Sequence, residues 1–211
     1  MKHHQHNALV ENYVHEAEKH LIQSDKVMAR LVSDYGRCPF SEWEFRPFHT
    51  LARAIISQQL SSKAANSIES RLSKIVSMPF TPEGFLSVPI EALRTAGLST
   101  AKTRYILELA ARVVQARLNF DELVNSPDED VIFSLTELPG IGRWTAEMFL
   151  IFGLQRPDVL SFGDAGLQRA VKMLYGDSEE PGLLERVSKA WRPYRSVASW
   201  YLWKHLDGVT K

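Results

Sequence analysis

Apolar residues recur along this chain at intervals of three and four, and wherever that rhythm holds it predicts a helix with one face turned to a core. Between residues 8 and 33, Leu9, Tyr13, Ala17, Leu21, Val27 and Leu31 keep the rhythm and predict one or two helices. Asp34 to Arg46 interrupts it with Gly36 and Pro39, in a loop whose Phe40, Trp43 and Phe45 suit core plugs or a cleft lining. Phe48, Leu51, Ala52 and Ile55 then predict a helix running into Gln58 and Gln59. Ser61 or Ser62 caps the next, whose stripe is Ala65, Ile68, Leu72 and Ile75, because a serine hydroxyl accepts from amides that the first turn leaves open. Gln58, Gln59, Leu60 and Ser61 therefore mark a corner between two helices, where a glutamine can simply tie off backbone groups or serve a ligand.

Thr81 to Gly97 carries prolines and glycines between short apolar pieces, predicting two brief helices, and Ser99 or Thr100 caps a longer one to about Arg117. Ser126, Pro127 and Glu129 form a capping-box signature ahead of a buried stripe at Val131, Leu135 and Leu138. After Pro139, Gly140 and Gly142, a run from Arg143 to about Phe152 is apolar nearly all round and predicts a central helix, with Pro157 ending the connection that follows. Leu160 to Gly176 has Asp164 near a helix N-terminus, Leu167, Ala170, Val171 and Leu174 on one face, and Gly176 as the stop. Pro181 to Leu206 adds helices rich in Trp191, Tyr194, Trp200, Tyr201 and Trp203. No convincing two-residue alternation appears, so the fold class is all-α.

Composition narrows the chemistry. The 211 residues can bury one core or two small lobes, and 25 basic side chains cancel 25 acidic ones. A polyanion would thus have to be met by a local surface rather than a bulk field. The most basic stretch holds Arg94, Lys102, Arg104, Arg112 and Arg117 against Glu108, with Lys102 and Arg104 nearest a turn and suited either to a solvated face or to DNA backbone contacts. Cys38 is the single cysteine, which excludes an internal disulfide, a four-cysteine zinc site and a cysteine-held iron-sulfur cluster, and suits a reducing compartment. His3, His4 and His6 read as a terminal cluster without a task. There is no signal-peptide apolar region, and the longest apolar run, Met148 to Phe152, is too short for a bilayer. An intracellular protein is expected, with no membrane partner.

The stretch LTELPGIGRWTAEMFLIFGLQRPDVLSFGD offers the densest chemistry. Glycine permits positive φ and close approach of backbone to a ligand. A helix opening at about Gly142 presents unpartnered amides and a positive dipole end to a phosphate, to which Thr145 can add a hydroxyl. The same residues can also make an ordinary packing corner. A P-loop is excluded because no GKS or GKT follows, and a dinucleotide fingerprint because Thr145 stands at its third glycine. On spacing alone Asp164 is a helix cap.

LPGIGRWTA, the lone acid of FGDAGLQRA, IISQQLSSKAA and RPYRSVASWYLWKHL, in that collinear arrangement over roughly residues 45–206, resemble the helix-hairpin-helix DNA glycosylases. The likeness is greatest to the 3-methyladenine DNA glycosylase II branch. It implies two helical lobes with a cleft between them: approximately residues 46–156 with the hairpin, and 1–45 with 157–211. It implies that Asp164 is the catalytic aspartate. Gly140, Ile141, Gly142, Arg143 and Thr145 would anchor DNA, and Trp144, Tyr194 and Met148 would face a flipped base. Met148 departs from relatives that carry an aromatic ring there. Gln58, Gln59, Leu60 and Ser61 would form the corner from which Gln59 or Leu60 wedges into the duplex. The lyase branch has a Schiff-base lysine where this chain has Trp144, so monofunctional hydrolysis is implied.

The expected function is excision of alkylated purines, of the 3-methyladenine and 7-methylguanine type, from double-stranded DNA by a monomer. The compartment would be the nucleoid if bacterial or the nucleus if eukaryotic. No cofactor is implied beyond a possible monovalent cation at the hairpin carbonyls, and no metal held by side chains. The alternatives are a glycosylase for uracil or a deaminated or oxidised base, and a non-catalytic DNA-binding module.

Overall fold

The computed structural model describes residues 2–176 and 182–209. Side chains are described from Val10 onward, apart from those of Ser62, residues 177–181 and residues 209–211. Leu9, His3, His4, His6 and Pro181, named above, lie outside the described side chains. The described residues are helical with no strand, and they divide into two compact units, residues 1–45 with 155–211 and residues 46–154.

The first unit opens with α1 (Lys2–Ser24) and α2 (Lys26–Tyr35). The periodicity allowed one helix or two, and Asp25 decides it: its side chain accepts from the amides of Val27 and Met28, ending one helix and starting the next. A 3₁₀ turn, Pro39–Glu42, then buries Phe40 completely, with the Trp43 ring at 5.0 Å.

The second unit comprises α3 (Pro47–Ser57), α4 (Ser62–Leu72), α5 (Pro82–Leu86), α6 (Ile90–Thr95), α7 (Thr100–Val114), α8 (Phe120–Asn125), α9 (Asp128–Thr136) and α10 (Arg143–Met148). Helix α7 packs against α3, α5 and α6, and Leu51, Ile55, Phe85, Leu93, Ile106 and Leu109 are fully buried. Each such side chain contributes about 1.5–3 kcal/mol on burial. Ser61 rather than Ser62, and Ser99 rather than Thr100, supply the caps of α4 and α7.

Four readings of this unit change. Helix α4 ends at Leu72, so Ile75 is 40% exposed and Val76 takes the buried place. Helix α8, capped by Asn119, was not read from the pattern. The capping box does not form: Ser126 Oγ donates to the Glu122 carbonyl, and Glu129 reaches Arg143. The apolar run after the hairpin is α-helical only to Met148 and continues as a π-helical turn, Phe149–Gly153. There the amide of Leu154 bonds to the Phe149 carbonyl, and a Cβ on Gly153 would lie 2.4 Å from the Phe149 ring. Only a glycine accommodates that ring against the wider turn.

The first unit resumes with α11 (Ala165–Tyr175), α12 (Leu183–Val187) and α13 (Arg195–Val209). Helix α13 packs on α1, α2 and α11, and brings Tyr201 and Leu202 into a core that also buries Val14, Leu21, Met28, Leu31 and Trp191. Arg195 grips Asp158 with two guanidinium nitrogens at 2.7 and 3.0 Å, fastening the start of α13 to the preceding loop.

Candidate functional site

The hairpin lies between α9 and α10. Gly140 adopts φ +83°, and a Cβ there would fall 2.1 Å from the Tyr105 ring, so both backbone and space require glycine. Gly142 has open space around it and caps α10 with no side-chain bond. Ile141 is buried and its amide is held by the Leu138 carbonyl. Trp144, on the first turn of α10, is 45% exposed, whereas Met148 and Thr145 are buried.

The corner between α3 and α4 is joined to this hairpin. Gln58 Nε2 donates to the carbonyl of Gly140 at 2.8 Å and lies 3.3 Å from Thr145 Oγ1. Lys102 Nζ donates to the carbonyls of Ile56 and Gln58 at 2.7 and 2.8 Å, closing the C-terminal end of α3. Burial pushes the Lys102 ammonium below the usual lysine range. The tip of the corner is exposed, and Gln59 holds a left-handed φ of +56° there, next to the half-exposed Leu60. A non-glycine residue in that region carries backbone strain, and strain of this kind concentrates at ligand clamps.

Several side chains expected to contact DNA have partners within the protein. Lys102 is bound to two carbonyls, and Thr145 is buried on Gln58, so neither side chain is presented to a phosphate. Arg143 is bound by Glu129 at 2.6 Å and by Glu147 at 3.0 Å, bracing α9 against α10, and the Arg143 hydrogen bond holds the Glu129 carboxyl below its ordinary range. Ser61 is a cap, and Ile141 offers only backbone. Arg104 remains exposed, with its guanidinium carbon 5.4 Å from the centre of the Tyr105 ring that packs on Gly140. The expected cation at hairpin carbonyls finds Gly140 O accepting from Gln58 and Leu138 O accepting from Ile141. Among the described residues no cluster of acids, histidines or cysteines could hold a metal. Each of the two hairpin carbonyls keeps a second lone pair, and no chemistry is routed through a cation.

In the first unit Asp164 is both capping and buried, at 8% exposure. Its Oδ1 accepts from the Leu167 amide at 2.7 Å and from Trp203 Nε1 at 3.0 Å. Trp203 was not singled out from the aromatic-rich tail. Its signal is faint, since an indole is a donor that seeks an acceptor when partly buried. Tyr194 is half-buried just before α13, its ring 5.6 Å from that of His20. Cys38 is buried, and burial pushes its thiol well above the ordinary range, which leaves it inert. No helix among the described residues is long and apolar enough to cross a membrane.

The family model of HhH-GPD superfamily base excision DNA repair proteins matches residues 52–194. DNA-3-methyladenine glycosylase 1 of Schizosaccharomyces pombe is 35% identical over 196 residues, covering 89% of this chain and 86% of that one. The alkylbase DNA glycosidase-like protein mag2 of the same organism is 33% identical over 196 residues, covering 89% and 92%. The solved structure of S. pombe 3-methyladenine DNA glycosylase in complex with abasic DNA is similar, with a TM-score of 0.74 at 33% identity over 90% of this chain and 95% of that one.

Proposed function

This chain belongs to the HhH-GPD superfamily of base excision DNA repair proteins, and from that premise we propose that it is a monofunctional DNA glycosylase releasing alkylated purines from double-stranded DNA. The observation that carries the reading is Asp164: an acid buried at the start of an eleven-residue helix, its Oδ1 held by two N–H donors. The second of them, Trp203 Nε1, belongs to another helix, which capping does not require.

The reaction requires the damaged nucleotide to leave the stack, at a cost of a few kcal/mol. Gln59, strained and exposed at the corner tip, is the wedge, with Leu60 beside it. The backbone amides at Gly142 and Arg143 meet a phosphate, and the exposed Arg104 meets another. A purine alkylated on a ring nitrogen is cationic, so it stacks well on an electron-rich ring such as that of Trp144 or of Tyr194 and departs without much general-acid help. Positive charge then develops on the sugar, where the Asp164 carboxylate stabilises it and orients water for attack on the anomeric carbon. The electron pair of the broken bond leaves with the base. Trp144 carries no amine for a Schiff base, so strand cleavage is not part of the reaction. The protein acts as a monomer in the compartment that holds the genome.

The test is release of free base from methylated duplex DNA. Wild type is expected to free 3-methyladenine or 7-methylguanine, with strand breaks only after alkali, and Asp164→Asn to lower turnover by roughly 10²- to 10⁴-fold with abasic-DNA affinity retained. Equal turnover in the mutant removes Asp164 from the mechanism. Binding without release would make this a non-catalytic module, and release of uracil or an oxidised base instead would change the lesion.

A further inference from the structure

Asp164 and Asp25 are both helix caps in the first unit, and both accept from a tryptophan, but they do so differently. At Asp25 the labour is divided: Oδ1 takes the amides of Val27 and Met28, and Oδ2 takes the Tyr175 hydroxyl at 2.6 Å and Trp191 Nε1 at 2.9 Å. At Asp164 the capping amide of Leu167 and the indole of Trp203 converge on the same oxygen. A donor from one side alone leaves the carboxylate some swing about its Cβ–Cγ bond, which carries both oxygens with it. A second donor, from α13 and 39 residues away in sequence, removes that freedom and so sets the direction of the other oxygen.

Gly166 bears on the same contact. It lies in the first turn of α11 and is not among the residues with positive φ, so no backbone demand explains it. A glycine there disfavours the helix by roughly 0.5–1 kcal/mol relative to alanine. Space explains it. A Cβ would stand 3.0 Å from Asp164 Oδ1, a tight approach, and in ordinary contact with Trp203 Cδ1 and Nε1 at 3.4 and 3.5 Å.

We propose that Trp203 is the positioning residue for the Asp164 carboxylate, its indole N–H fixing the plane of the acid, and that Gly166 is kept to admit that contact. The inference rests on the reading of Asp164 as the catalytic acid. The indole suits the task because it only donates and its ring is rigid, so the bond has one geometry.

The test is single-turnover base release from methylated duplex DNA by wild type, Trp203→Phe, Asp164→Asn and the double variant, with duplex affinity measured in parallel. Trp203→Phe is expected to lower the rate about 10- to 100-fold, the range for losing a hydrogen bond to a charged group, with affinity changed less than about twofold. In the Asp164→Asn background it is expected to lower the rate no further, since the group it positions is already gone. Gly166→Ala is expected to reduce the rate in the same sense, whereas Trp191→Phe, which removes the indole from Asp25, is expected to lower stability without lowering the rate. A Trp203→Phe rate equal to wild type, or an equal fold-loss with and without Asp164, would overturn the proposal alone. Absence of base release by wild type would overturn the glycosylase reading and this proposal with it.

Discussion

The side-chain amide of Gln58 donates to the main-chain carbonyl of Gly140 at 2.8 Å, joining two turns that are 82 residues apart in the chain. The helix corner and the hairpin are thereby one body within residues 46–154. Replacing Gln58 with alanine is expected to lower stability by about 1–2 kcal/mol, the range for one well-made hydrogen bond and its orphaned acceptor. Abasic-duplex affinity should fall with it, because two grips on the DNA no longer share one geometry. Urea denaturation and fluorescence anisotropy with the same protein would show both effects, and unchanged values in both would mean the contact is incidental.

Lys102 and Arg104 are two residues apart and are expected to behave differently. Lys102→Met removes the ammonium from the carbonyls of Ile56 and Gln58, so stability falls while the salt dependence of duplex binding stays as in wild type. Arg104→Ala is expected to reduce the slope of log affinity against log salt by about 0.9, the value for one phosphate contact on duplex DNA. A reduced slope for Lys102→Met would restore it to the DNA surface.

Gly140→Ala is expected to destabilise the hairpin by at least about 1 kcal/mol, since alanine resists positive φ, and by more because its methyl meets the Tyr105 ring. Combining it with Tyr105→Ala should recover the steric part only. Thermal denaturation of the single and double variants separates the two contributions, and additive losses would argue against the ring contact.

His49 is held below its ordinary value of about 6.5 by burial first and then by Arg53 and Arg46, with Glu69 opposing. Its Nδ1 accepts from the Phe80 amide at 3.2 Å, which requires that nitrogen to be unprotonated. The unfolded chain therefore binds the proton more readily, and stability contributed by neutral His49 is present above about pH 6.5 and is lost as pH falls towards the depressed folded value. Urea midpoints across this range should decline less steeply towards acid for His49→Gln than for wild type. Parallel profiles would show that His49 does not govern the acid limb.

The helices were legible because their signals are local. Apolar spacing along α3, α7 and α11, and Asp164, Ser61 and Ser99 as caps, involve residues within one or two turns of each other. Helix α8 escaped because its six residues hold less than two turns of period and no proline opens it, as Pro82 and Pro89 open the equally short α5 and α6, and the π-helical turn because Phe149–Gly153 reads as a continuation of the same apolar run. The hairpin glycines were legible as a turn, and the structure adds that Gly140 is required by Tyr105 as well as by its φ.

By itself the sequence determined that the chain is all-helical, where its helices turn, and that Asp164 begins one of them. Tertiary structure decided the partners: that Lys102 reaches carbonyls 44 and 46 residues away, that Arg143 turns to Glu129, and that Trp203 meets Asp164. The reason is reach. A cap or a helical stripe is set by neighbours a few residues apart, whereas a lysine, arginine, glutamine or indole takes whichever complementary group the packed helices bring within about 3 Å.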